Sequence, residues 1–180
     1  MGQYYLAIIL GDEDQKQKPE IIRIYVSPFN CGMKLTEHSY LKNQFVNTFE
    51  SLLAPDGIFY KSRVVWAGDY ADNEVGQEQN LYSLAYDQPK KDFTSKILLS
   101  SENNQYVINH TKKQYVDKEK HDKYHPLPLL VAEGNGRGGG DYQGINQDII
   151  GTWSRNVISV ENKIPDDYTE FVCKFVGDYD

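Results

Sequence analysis

The chain has 180 residues, 39% hydrophobic and 25% charged, and its 14 Tyr, 7 Phe and 2 Trp supply enough core-forming material to exclude a disordered chain. At this length a single domain, residues 1–180, is expected, since no linker composition interrupts the pattern. A formal charge of −7 makes duplex nucleic acid an unfavourable main partner, because a net acidic surface repels phosphates.

Residues 3–10 and 20–27 are apolar, β-branched and aromatic runs on either side of a polar turn containing Pro19, which predicts an N-terminal hairpin. Leu41, Phe45, Phe49, Leu52 and Leu53, with Val46 alongside, recur at the spacing of one helical face. The main helix is therefore predicted over about 38–54, with Thr36 as its N-cap and Pro55-Asp56-Gly57 as its stop. Residues 58–67 read as a third strand, and 80–86 as a short helix or irregular chain. Short strands are expected over 96–99, 105–109 and 114–116, the last two joined by a lysine-containing turn. Residues 126–133 fit a helix with proline in its first turn or a buried strand, and helix is the preferred reading. Turn chemistry at Ser154-Arg155-Asn156 predicts a tight hairpin from 149–153 and 157–160, and 168–176 adds a closing strand. The fold class is α+β: a mostly antiparallel sheet with one main helix and a second short one.

By segment the charge is −5 over residues 1–88, +3 over 89–125 and −5 over 126–180. The basic middle interleaves lysines with Tyr106, Tyr115 and Tyr124 like a weak nucleic-acid patch, but lysines also protect exposed strand edges, and a solvated face is preferred. No apolar run approaches the roughly 20 residues of a membrane span. The first eleven residues lack the basic start of an export signal, so a cytoplasmic location is expected. Cys31 and Cys173 are too few for a disulfide framework and read as free thiols.

Five glycines in seven residues surround one arginine in the segment Gly134, Asn135, Gly136, Arg137, Gly138, Gly139, Gly140, Asp141, Tyr142. Successive backbone N–H groups in such a loop form a concave anion site, and Arg137 adds a bidentate fork for phosphate or carboxylate. Gly134, Gly136 and Gly139 satisfy GxGxxG, yet no helical pattern follows and no βαβ unit precedes, so a dinucleotide fold is rejected. A plain surface loop is the competing reading. Lys34, Glu37, His38 and Ser39 stand at a helix start, a second candidate for anions, with Lys34 as counter-charge. His38 is a candidate general acid or base and Asp69, at a strand end beside Gly68, a candidate to orient it, although a structural role is the preferred reading for His38 and a turn role explains Asp69 at least as well. His121 and His125 are spaced i, i+4, but without an apolar helical stripe, so no metal site is expected. No GxSxG elbow, P-loop lysine, Cys–His nucleophile signature or cofactor motif occurs.

Met1-Gly2-Gln3-Tyr4-Tyr5, the 32–40 segment with Asn43 and Val46, Gly68-Asp69-Tyr70, the 125–130 segment running into 134–142, and Ile150-Gly151-Thr152-Trp153 together resemble a group of small uncharacterised proteins of bacterial and phage genomes. The resemblance spans most of the chain and assigns no catalytic residue. It implies, for a phage-borne chain, sequestration of a host immune nucleotide signal. The leading expectation is a binding domain for an anionic small molecule of nucleotide type, using Lys34 and residues 135–142. One alternative is a hydrolase or transferase at the same pocket, with His38 and Asp69 catalytic. Another is an acidic interaction protein that blocks a host DNA-binding protein.

Overall fold

The computed structural model describes residues 3–11, 20–100, 103–135 and 141–178. It is α+β: an eight-stranded mixed sheet with four α-helices. The strands are β1 (Tyr5–Leu10), β2 (Ile22–Val26), β3 (Ser62–Gly68), β4 (Tyr106–Asn109), β5 (Gln114–Asp117), β6 (Ala132–Glu133), β7 (Val157–Glu161) and β8 (Thr169–Glu170). Their order is β2-β1-β3-β7-β4-β5-β8, with β6 also on β3. All pairs are antiparallel except β3 with β6 and β5 with β8.

Every residue of β1 is buried, which follows from its uninterrupted apolar run, because such a strand must be covered on both faces. Tyr5, Ala7 and Ile9 join Val64 and Trp66 in a large core roofed by α2 (Gln44–Leu53) and α4 (Pro126–Leu130). Leu6, Ile8 and Leu10 point the other way, into a smaller cluster with Val65, Ala67 and α3 (Leu81–Tyr86). The N-terminal hairpin, β4, β5 and α3 lie where the pattern places them.

Five expectations on local structure need correction. The helix expected over 38–54 is two pieces, α1 (Leu35–His38) and α2. Lys42 between them takes φ 68°, and Asn43, not Thr36, caps α2 by accepting from Val46 N. Residues 126–133 are both alternatives in turn, since α4 ends and Ala132–Glu133 pairs with β3. Residues 149–153 form a 3₁₀ turn and loop rather than a hairpin arm: Gly151 N donates to Leu129 O and Trp153 N to Leu130 O, tying the segment to α4. Residues 96–99 form no strand, with Leu98 and Leu99 exposed, and of 168–176 only Thr169–Glu170 joins the sheet.

Gly151 is the point where that close approach depends on glycine. Its φ is 78°, and a Cβ there would meet Ala132 O at 2.4 Å. Gly151→Ala is expected to cost about 1 to 3 kcal/mol in urea denaturation. A change within experimental scatter would show that the loop can retreat from Ala132. Among the described residues, no helix is long and apolar enough to cross a membrane.

Candidate functional site

The ends of the glycine-rich segment and the α1 region meet at the start of β1. Asn135 N donates to Gln3 Oε1 at 3.0 Å, and the Asp141 carboxylate accepts from Thr36 N at 3.1 Å and from the Thr36 hydroxyl. Lys34, half-buried, opens α1 with its backbone N–H on Glu37 Oε2 at 2.9 Å. Asp69 closes β3, accepting from Tyr4 N through Oδ1 at 2.9 Å. The Tyr5 phenol between these elements is pushed up by burial and by the Asp141 and Asp69 carboxylates. Five residues read from the sequence, Lys34, His38, Asp69, Asn135 and Asp141, therefore gather around one strand end. Gly136, Arg137, Gly138, Gly139 and Gly140 lie outside the described residues.

The chemistry of this junction differs from the one expected. The first turn of α1 holds the protein's own anion, Asp141. His38 is fully buried, with Trp66 Nε1 donating to its Nε2 at 3.0 Å and Gly32 O beside Nδ1 at 3.0 Å. These partners define the neutral tautomer with its proton on Nδ1, and burial pushes the imidazole pKa down to about 4. Both ring nitrogens are thus engaged, and neither meets Asp69. Tyr142 is a core residue, 3% exposed, whose hydroxyl donates to Ile145 O and accepts from Val176 N.

Three clefts stand apart from that junction. The first, about 540 Å³, touches Gly134 and is dominated by Arg155. The guanidinium meets Glu133 through Nε at 2.7 Å and Nη2 at 2.8 Å, and Glu74 through Nη1 at 3.0 Å and Nη2 at 2.5 Å. Burial works against its charge, but Glu133 and Glu74 outweigh that and raise its pKa. An arginine held by two carboxylates has little left for an incoming anion. The second cleft, about 480 Å³, reaches a buried charged group: Lys118 Nζ donates to both oxygens of Glu50 at 2.9 and 3.0 Å and to Asn103 Oδ1 at 2.8 Å. His125 Nε2 donates to Glu50 Oε1 at 2.5 Å while its Nδ1 accepts from Leu127 N.

The third cleft, about 440 Å³, opens at the opposite end of β1 and has the charge an anion needs. Pro55-Asp56-Gly57 stops α2, Phe59 N bonds back to Leu52 O, and the chain enters β3 through Phe59, Tyr60 and Lys61. Arg23 projects outward from β2 between buried Ile22 and Ile24, by the strand's alternation. Its guanidinium lies 5.1 Å from the Phe59 ring centroid, and Lys61 Nζ lies 5.1 Å from that of Tyr60. Arg63, at the floor, is paired bidentately with Glu20 at 2.9 Å. Among the described residues no carboxylate lines the cleft itself, although Glu161 accepts from the Tyr60 hydroxyl, and Arg23 and Lys61 take part in no salt bridge among those residues. The sequence reading missed this site, because its basic and aromatic residues come from two strands and a turn. The outward Arg23 and the Tyr60-Lys61 pair were the legible signals.

Scans of the chain against protein-family models, curated proteins and solved structures found no match.

Proposed function

We propose that the protein binds an anionic small molecule of nucleotide type in the Arg23–Lys61 cleft. Arg23 and Lys61 take the phosphate, and the half-buried Tyr60 ring with the Arg23 guanidinium plane offers stacking surface for the base. The observation behind this reading is the pairing of two cations outside any described salt bridge with two aromatic rings in a cleft that no described carboxylate lines. It retains the ligand class expected from the sequence and moves the site away from the α1 start, where the Asp141 carboxylate already takes the Thr36 N–H.

Calorimetry against inorganic phosphate and a panel of mono-, di- and cyclic nucleotides tests it. Arg23→Ala and Lys61→Ala are each expected to weaken binding about tenfold or more, the effect of losing a hydrogen bond to a charged group. Arg137→Ala is expected to leave affinity unchanged. Loss with Arg137→Ala and none with Arg23→Ala would return the site to the glycine-rich segment. Silence across the panel at millimolar ligand would end the nucleotide reading.

A further inference from the structure

A second constellation lies where the chain beyond β8 packs back beside the end of β5. Phe171, Cys173 and Phe175 pack against the core while Val172 between them is 80% exposed, so the Cys173 side chain faces the protein yet remains half-buried. His121 follows a 3₁₀ turn (Lys118–Lys120) after β5 and lies against the Phe175 ring at 5.4 Å. Its Nδ1 is 2.7 Å from Asp178 Oδ2, and its Nε2 is 3.9 Å from Cys173 Sγ. Asp178 is itself aimed by two backbone donors, Asp122 N on Oδ1 at 3.0 Å and Phe175 N on Oδ2 at 2.8 Å.

This order of contacts fixes the protons. The Asp178 carboxylate only accepts, so Nδ1 carries the hydrogen and donates to it, which leaves the Nε2 lone pair facing the thiol. Burial pushes the Cys173 thiol up to about 12, with Asp178 and Glu170 adding to it, so the resting sulfur keeps its proton and needs a base at the moment of attack. Nε2 is placed to be that base.

We propose that Cys173, His121 and Asp178 form a nucleophile, base and positioning residue for acyl transfer from an activated carbonyl compound, an ester or thioester. The Sγ–carbon bond forms as the Sγ proton passes to Nε2. The tetrahedral adduct collapses, the carbon–oxygen or carbon–sulfur bond to the leaving group breaks, and that group takes the proton from Nε2. Water, losing a proton to Nε2, then attacks the acyl–Cys173 carbonyl, and the departing sulfur recovers the proton. Both electron pairs and protons return to their starting places, with no oxidant or metal involved.

The test uses p-nitrophenyl acetate on the full chain, with peptide mass spectrometry locating the acetyl group. Cys31 is an internal control, similarly half-buried but hydrogen-bonded to Asn30 and Asn43 rather than to an imidazole. Cys173 is expected to be acetylated at least about tenfold faster than Cys31, and His121→Asn to remove that advantage. The pH–rate profile for Cys173 should rise with deprotonation of an imidazole. Around His121 stand Asp178, Cys173, Glu170 paired with Lys120, and, further in, His125. Asp178→Asn should slow acetylation of Cys173 while leaving that of Cys31 unchanged, a selective loss that a general loss of packing does not produce. Should the buried variants fail to fold, the wild-type comparison of the two cysteines and its pH limb still decide. Equal acetylation of Cys31 and Cys173, or a rate that climbs only with thiol ionisation, would overturn the proposal.

Discussion

Lys118→Met is expected to lower stability by about 3 to 5 kcal/mol, because it leaves the Glu50 carboxylate buried without its ammonium partner. Glu50 on α2, Lys118 after β5 and the N-cap His125 of α4 are each nearly inaccessible, with side chains 3%, 4% and 1% exposed. Burial alone would raise the Glu50 pKa, but His125 and Lys118 overcome it and hold the carboxyl below its ordinary value. His125 is pushed down by burial and stays neutral, matching a ring whose Nε2 donates and whose Nδ1 accepts. The group is thus one ion pair with a neutral imidazole, and removing one member is far costlier than replacing all of them with apolar residues of similar volume. At this chain length the loss corresponds to a fall of about 10 °C in Tm. Adding Glu50→Gln to Lys118→Met should recover part of it, since a neutral amide no longer demands a counter-charge. A loss below about 1 kcal/mol in urea denaturation would mean that water reaches Glu50 through the adjoining cleft.

Acid should destabilise the protein well above the carboxylate range, and His38→Gln should flatten much of that response. The folded imidazole titrates at about 4 against an ordinary value of 6.5. Between those values the unfolded chain binds a proton that the folded one refuses. The contribution is therefore complete above about pH 6.5 and is lost as pH falls toward 4, amounting to about 3 kcal/mol. His125, also shifted down, acts in the same direction, and Glu50 extends the loss to lower pH. Urea midpoints measured from pH 7.5 to pH 4.5 on wild type and His38→Gln check this. The difference between the two slopes isolates His38, because the variant's own packing cost is the same at every pH. Parallel slopes would show that His38 protonates in the folded state at its ordinary pKa.

Where pattern is local, the sequence was legible. The β1–β2 hairpin, the apolar face of α2, the β4–β5 pair and the Asn80-capped α3 each rest on a spacing or turn within about fifteen residues. The errors have long-range causes. Residues 149–153 have strand composition, but backbone bonds to Leu129 and Leu130 satisfy them as a loop. The predicted helix over 38–54 breaks at 39–43 because Ser39 O accepts from His125 N and Leu41 N donates to Lys123 O, so this stretch serves a neighbouring segment instead of its own helix.

The same division governs the sites. Composition and local pattern together determined that this chain has a packed α+β interior with many tyrosines, a net acidic charge and no apolar span of membrane length, since these follow from which side chains water rejects and at what spacing they recur. Residue types also marked 34–38, 69 and 134–142 as unusual, and the fold brings Lys34, His38, Asp69, Asn135 and Asp141 to one strand end. Only the tertiary structure decided that the α1 start is filled by Asp141, that His38 is sealed behind Trp66, that Arg23 and Lys61 share a cleft, and that His121 sits between Asp178 and Cys173. Asp141 lies 105 positions from Thr36, and Asp178 lies 57 from His121. No periodicity encodes such distances; they are set when burying both faces of β1 and β3 forces α2, α4 and the C-terminal segment onto the sheet, and the polar groups carried inward must then find partners there.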